Sequence, residues 1–549
     1  MTFRKGAFFM KNKNKCALVF LTLLVFLFTY TAQAEDGERA FTGLGEISTN
    51  FGKITGVVGN DYDVTIYKGI PYAAPPVGEL RWAPAQDPAP WEGVRACDSF
   101  APTAIQPSYL KNFSPDIPEY APTWGAFYPE TYPESEDCLY LNVTTPAVEG
   151  NENLPVYIWY HGGGLNHGYS YELEFDAQAL ASKGIIVVTV GHRLNVFGLL
   201  ALPQLTEANG YGGSGNWIVT DIAKSIEWVF NNIKAFGGDP SRITVSGQSG
   251  GSSKTTAALV SPLSNQYVTG TLNQSSLGAF GTYRSQEDGY EAGYAVLDAL
   301  GLPRDCTVEQ LRAVPVDDLK KVVDDGVFKG SIVIDNFAIT KSPKEFYLTP
   351  GALNGKNMMA GNIFGESGAY EATTAKELYA AIRAQFGDEL CNKYDLENAV
   401  EITDGMVPYY KTAIKSWFAS YSTRLYGEIM TAQNDGKFFT YTFGRIPPSN
   451  EWSWHSAELW YQFGSYRLGK YERPWTIWDD VTAEVTMNFW SNFVKNGDPN
   501  GYGLPKWTGG ESGAYMFVDA EPYLIPSTPL DGIFREHLIN VNQLGDIIK

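Results

Sequence analysis

The pentapeptide Gly247-Gln248-Ser249-Gly250-Gly251 puts a hydroxyl between glycines, directly after the strand-like run Arg242-Ile243-Thr244-Val245-Ser246 and before Ser252 to Val260, which suits a helix. A serine hydroxyl becomes a nucleophile when a neighbouring base takes its proton and the backbone presents it outside a sheet. Strand, sharp turn and helix supply that presentation. Glycines at 247 and 251 keep side chains clear of the adjoining strand and helix, and the helix N-terminus favours developing negative charge.

Upstream, the strand-like run Pro155-Val156-Tyr157-Ile158-Trp159-Tyr160 leads into His161-Gly162-Gly163-Gly164. Three successive glycines after a buried strand cost stability, and bare backbone amides that must approach a substrate oxygen explain them. The amides of Gly163, Gly164 and Gly250 are the expected oxyanion hole, each donor typically contributing about 3 kcal/mol in a transition state.

The chain has five histidines, at 161, 167, 192, 455 and 537. Where this turn carries the nucleophile, the chain order is serine, acid, histidine, which leaves His455 and His537. His455, within Trp452-Ser453-Trp454-His455-Ser456, is the candidate base; His537 lies in the polar segment Arg535-Glu536-His537. Two carboxylates between Ser249 and His455 follow apolar strand-like runs, Asp335 and Glu366, and either could hold the imidazole tautomer. Residue types alone leave both open.

These groups need a scaffold. From Leu154 onward, apolar runs (Val156 to Tyr160, Gly184 to Val190, Arg242 to Ser246) alternate with helix-like stretches such as Trp217 to Ala235, the mark of a parallel sheet covered by helices. Short alternating runs at Lys53 to Val58 and Tyr62 to Tyr67 predict a small antiparallel sheet at the start. Between Gln106 and Glu134, Tyr109, Tyr120, Trp124, Phe127 and Tyr132 stand in a Pro-rich stretch that either lines a pocket mouth or packs on the body. Gly210-Tyr211-Gly212-Gly213-Ser214-Gly215 fits a dinucleotide-binding string but follows a polar loop, so it carries no such site. No repeat or linker divides the chain, and a single domain over 35–549 is expected.

Residues 1–34 read as a secretory signal peptide: five basic residues and no acid, an apolar run from Cys16 to Tyr30, and Ala32-Gln33-Ala34 at the cleavage site. Met10 could equally serve as the start. Cleavage leaves 36 basic against 61 acidic residues, a net charge of −25 that repels nucleic acid and anionic lipid. The mature chain is expected to be secreted with no stable membrane span; attachment to a surface stays open. Four cysteines remain, an even number suited to two disulfides in an oxidising compartment. No zinc-ligand spacing occurs.

Taken together, the motifs resemble the type-B carboxylesterase family, which includes cholinesterases, fungal lipases and bacterial para-nitrobenzyl esterases. The resemblance covers nearly the whole mature chain and rests on Lys68-Gly69-Ile70-Pro71-Tyr72-Ala73, on Ser135-Glu136-Asp137-Cys138-Leu139-Tyr140-Leu141-Asn142-Val143, and on the His161 glycine motif. Phe236-Gly237-Gly238-Asp239-Pro240, the Ser249 turn, Trp490-Ser491-Asn492-Phe493 and Gly497-Asp498-Pro499 extend it. It implies the α/β-hydrolase fold, a large, mostly parallel sheet flanked by helices with the small antiparallel sheet at the N-terminus. It also implies a cofactor-free serine carboxylesterase acting on a small-molecule ester. Its G-x-N-x-x-E segment, Gly361 to Glu366, assigns the acid to Glu366 and makes Asp335 structural; its histidine followed by Glu-Leu supports His455.

By the same resemblance, Arg193 pairs with the Glu136-Asp137 region and Cys138 bridges an upstream cysteine; the family's partner usually stands a few residues beyond Cys97, near Ala104, so Cys97 is the candidate by position and Cys306 is left to pair with Cys391. Trp452, Trp454 and His167 lie near the catalytic motifs and either shape the pocket or simply pack. The family commonly reads G-E-S-A-G at the turn. Here Gln248 supplies no neighbouring charge, and Gly250 is expected to be a less rigid donor than alanine. The family also contains lipases acting on longer acyl chains and cholinesterase-like modules that bind partners without chemistry. An intact triad favours the enzyme.

Overall fold

Strands β7 (Leu154–Tyr160) and β8 (Ile186–Val190) are apolar on both faces because both faces are covered. Val156, Ile158 and Tyr160 enter one core cluster while Tyr157 and Trp159 enter another; Ile186 and Val188 part from Val187 in the same way. The computed structural model describes residues 41–108, 133–275, 277–278, 281–469 and 472–547. The leader and the five aromatics from Tyr109 to Tyr132 lie outside them.

Eleven strands form the main sheet. β9 (Gly238–Gln248), β10 (Gly270–Gln274), β11 (Asn357–Ile363), β12 (Phe438–Phe443) and β13 (Tyr515–Val518) run parallel with β7 and β8, in the order β8-β7-β9-β10-β11-β12-β13. Antiparallel strands close both edges: β14 (Tyr523–Ile525) beyond β13, and β6 (Tyr140–Thr145), β4 (Thr65–Pro71) and β3 (Val57–Val58) beyond β8. The sheet is thus mostly parallel with helices on its faces, an α/β-hydrolase architecture.

A separate three-stranded sheet at the N-terminal end comprises β1 (Glu46–Ser48), β2 (Lys53–Thr55) and β5 (Val94–Ala96). Its β1–β2 pair is antiparallel and its β2–β5 pair parallel. The run from Lys53 to Val58 divides between the two sheets at Gly56, where a Cβ would stand 2.7 Å from the Ile66 carbonyl oxygen.

Strand order reverses between β7 and β9: the chain leaves β7 for β8 on one side and leaves β9 for β10 on the other. Such a switch point opens a crevice at the carboxyl ends of the two strands. The glycine motif follows β7 and Ser249 follows β9, with Tyr160 in register with Gly247. Chain topology alone therefore brings the two motifs together.

A third core lies under the helices Ala375–Phe386, Val407–Gln433 and Asp531–Val541. Among the described residues, no helix is long and apolar enough to cross a membrane.

All four described cysteines are free thiols, so neither the Cys97–Cys138 nor the Cys306–Cys391 bridge is formed. Burial pushes the Cys97 thiol up to about 11 and the Cys138 thiol well above its ordinary value. Both stay protonated and pack as small apolar side chains within one cluster. Cys306 and Cys391 sit in different core clusters.

Arg193 also departs from expectation. Its guanidinium takes both carboxylate oxygens of Asp221, on the helix Trp217–Asn232, with its shortest bond at 2.6 Å. Glu136 is claimed instead by Arg81 through two 2.6 Å bonds, because Arg81 is also anchored to the carbonyls of Arg312 and Val314.

Candidate active site

Ser249 occupies the junction between β9 and the helix Gly250–Val260 with φ 56° and ψ −120°, a conformation that side-chain-bearing residues rarely adopt. Its amide donates to the Gln274 carbonyl at 2.9 Å and its carbonyl accepts from Ser253, so the strained residue is held from both sides. Gly250 is the first residue of the helix, and its amide is among those left without an intrahelical acceptor. That amide is available to an oxyanion.

Gly250 also sits close against the glycine motif. A Cβ there would lie 1.9 Å from the Gly164 carbonyl oxygen and 2.4 Å from its carbon, so the missing methyl makes the contact tight instead of loose. Gly250→Ala must push Gly164 away. It is expected to cost about 1–3 kcal/mol in urea unfolding, as overpacking does, and to lower kcat as the glycine turn shifts.

Gly163 and Gly164 both have positive φ, 76° and 63°. The Gly163 carbonyl accepts from the amides of Asn166 and His167, closing the turn. In a trans peptide this carbonyl and the Gly164 amide point in opposite directions, which turns that amide away from the closed turn.

His455 Nδ1 lies 2.8 Å from Glu366 Oε2, and Glu366 Oε1 accepts from the Ile363 amide at the end of β11. Glu366 is therefore fixed to the sheet while it orients the imidazole. Burial pulls the imidazole's basicity down, but the hydrogen bond and charge of Glu366 outweigh it and leave His455 above its ordinary value. With Nδ1–H donated to Glu366, the Nε2 lone pair faces the Gln248 side-chain amide at 3.2 Å.

Ser249 and His455 line one cavity of about 270 Å³ together with Gly162, Gly163, Gly164 and Gln248. Phe175 and Leu459 add apolar wall, His167 adds an imidazole, and Glu172 and Glu174 add a carboxyl pair. Burial, reinforced by Glu172, raises the Glu174 carboxyl well above the usual range. Glu458, wholly buried nearby, is pushed up to about 8 by burial and by the charge of Glu366. A larger cleft of about 570 Å³, lined by Asn362, Lys415 and Thr423 among others, contains neither Ser249 nor His455.

The rival acid and base stand elsewhere. Asp335 accepts from the amides of Phe337 and Ile339 and staples its own loop. His537 packs edge-on against Phe386 at 5.1 Å. Trp454 packs on Trp460 at 4.6 Å, whereas Trp452 is partly exposed with its ring 6.4 Å from Phe364. Gly210 ends a helix, not a strand. Sequence reasoning missed Glu172, Glu174, Glu458 and Lys254. Two of them left a signal: Lys254 as the one charged residue in the run Gly250–Val260, and Glu458 as the glutamate of the Glu-Leu pair after His455, a pair that by resemblance supports only the histidine.

A model described as the carboxylesterase family matches residues 45–525. The chain belongs to the carboxylesterase family. This carboxylesterase is 34% identical over 360 residues to the fumonisin B1 esterase of Sphingopyxis macrogoltabida, an alignment covering 62% of this chain and 60% of that protein. It is 29% identical over 481 residues to the para-nitrobenzyl esterase of Bacillus subtilis, covering 83% and 90%. A solved PNB esterase superposes with TM-score 0.70 at 26% identity, over 90% of this chain and 99% of that one. The Geobacillus stearothermophilus carboxylesterase gives TM-score 0.70 at 27% identity with the same coverage. The protein is a carboxylic-ester hydrolase.

Among the described residues, no group of three His, Cys, Asp or Glu side chains could hold a metal ion.

Proposed function

We propose that the enzyme hydrolyses small or medium esters, aromatic ones among them, through an acyl-enzyme on Ser249, with His455 as base and Glu366 as its partner. The observation that carries this reading is a strained serine and an imidazole bonded to Glu366 at 2.8 Å, facing one cavity beside a glycine turn.

Ser249 Oγ attacks the ester carbonyl carbon and its proton passes to His455 Nε2. Glu366 keeps the Nδ1 proton in place and stabilises the imidazolium. The carbonyl oxygen, now an oxyanion, is received by the amides of Gly163, Gly164 and Gly250. His455 returns the proton to the departing alcohol oxygen as the carbon–oxygen bond breaks. Water then attacks the acyl-enzyme, the same imidazole taking its proton, and releases the acid and the free serine. Side chains and water handle every proton and electron pair, so this reading requires no cofactor.

A cavity of about 270 Å³ lies just below the usual range of ligand-site sizes, about 300 to 1,000 Å³, and this supports short groups over long acyl chains. Relatives named for para-nitrobenzyl esters and fumonisin B1 support ester hydrolysis without fixing the substrate. Export is part of the proposal. With the thiols unbridged, the leader alone supports it; a mature N-terminus at Glu35 is the expected mass-spectrometric result.

Purified residues 35–549 should release p-nitrophenol fastest from short acyl esters, with kcat/KM falling as the chain lengthens. Preference for emulsified long-chain ester would make the enzyme a lipase. A folded protein inert across the whole series would contradict this substrate class and redirect the search to a binding partner.

A further inference from the structure

We propose that Lys254 is a positioning residue for the oxyanion hole, its ammonium holding the carbonyls of His161 and Gly162 so that the Gly163 amide faces the ester. The inference rests on Gly163 being an oxyanion donor.

Lys254 lies in the helix that follows Ser249 and is wholly buried. Its Nζ donates to the His161 carbonyl at 2.9 Å and reaches the Gly162 carbonyl at 3.4 Å. The chain has no cis peptide among its described residues, and a trans peptide carries its C=O and N–H on opposite edges. Drawing the Gly162 oxygen toward Nζ therefore turns the Gly163 N–H the other way. That carbonyl also lies 3.1 Å from His161 Nδ1, a second hold on the same peptide. A cation at the carbonyl end polarises the peptide, so the N–H becomes a stronger donor to a developing negative charge.

Packing alone does not account for an ammonium here, since methionine would fill similar volume without burying a charge. The ionisable groups around it are His161 after β7, His192 after β8, and His167 and Glu172 in the segment between those strands. Burial, aided by the Lys254 charge, holds all three imidazoles below their ordinary value, His167 at about 4, so they are neutral at pH 7. Burial pulls Lys254 itself down to about 7 against the attraction of Glu172. The charge behind the glycine turn is thus present below neutrality and lost above it.

The test compares wild type with Lys254→Met on a p-nitrophenyl ester and with a trifluoromethyl ketone, whose serine adduct places an oxyanion in the hole. Lys254→Met should lower kcat by about 10–100-fold with KM within about threefold, and weaken the ketone by a similar factor. The wild-type kcat should decline as pH rises past about 7, and this decline should be missing in the variant. Should the variant fail to fold, the wild-type affinity for the ketone must still drop across that range. Unchanged kcat and ketone affinity in Lys254→Met, or a pH-independent affinity in wild type, would overturn the proposal. Ser249→Ala runs alongside: activity surviving it removes the site and this proposal together, whereas activity lost with Ser249→Ala and intact in Lys254→Met removes this proposal alone.

Discussion

Ser249→Ala is expected to lower kcat on a p-nitrophenyl ester by about a million-fold, the scale found when a serine nucleophile is deleted. The substitution removes only Oγ. Backbone bonds to Gln274 and Ser253 hold the turn, and alanine enters the same strained conformation, so melting temperature should stay within a few degrees. What remains would come from the oxyanion donors and from binding, both of which survive. A variant that keeps a tenth of wild-type activity would exclude Ser249 as the attacking group.

The second large effect concerns the acid. Glu366→Gln replaces the acceptor at His455 Nδ1 with an amide that can donate, which favours the wrong tautomer, and is expected to cost about ten-thousand-fold in kcat. It also removes the interactions that raise His455. Burial then dominates, so the acid limb of the residual activity should move to lower pH. Stability follows the same logic. A histidine raised in the folded state contributes stability that is complete below its unfolded value, near 6.5, and is lost as pH rises through the folded value. Glu366→Gln should therefore destabilise the protein more at pH 5 than at pH 9, as read by urea midpoints. Asp335→Asn keeps an oxygen for the Phe337 and Ile339 amides and should leave kcat unchanged.

The parts of the site readable from residue types are those whose signal is contiguous. Strand, turn and helix around Ser249 occupy adjacent positions, and the glycine motif directly follows an apolar strand. The acid is different. Glu366 and His455 stand 89 residues apart, and nothing local separates Glu366 from Asp335; only family resemblance did so. The sheet was legible because β7 and β8 are apolar on both faces, while the transfer of β3 to the main sheet depended on one close approach at Gly56.

Buried charge was the hardest to read. Lys254, Glu172, Glu174 and Glu458 resemble surface residues until tertiary packing encloses them, and Arg193 met Asp221 across a helix instead of the Glu136 region. Gly250 carried a misleading signal: absence of a side chain normally means freedom, but here the adjacent Gly164 backbone fills that space.

The most direct test of the central claim is to trap the acyl-enzyme. The folded protein is mixed with a slowly deacylating p-nitrophenyl ester, quenched in acid, digested, and the modified peptide identified by mass spectrometry. One acyl group per chain, on the peptide carrying Ser249 and absent from Ser249→Ala, is the expected result. Turnover with no adduct at Ser249, or with the acyl group on another residue, would contradict the account.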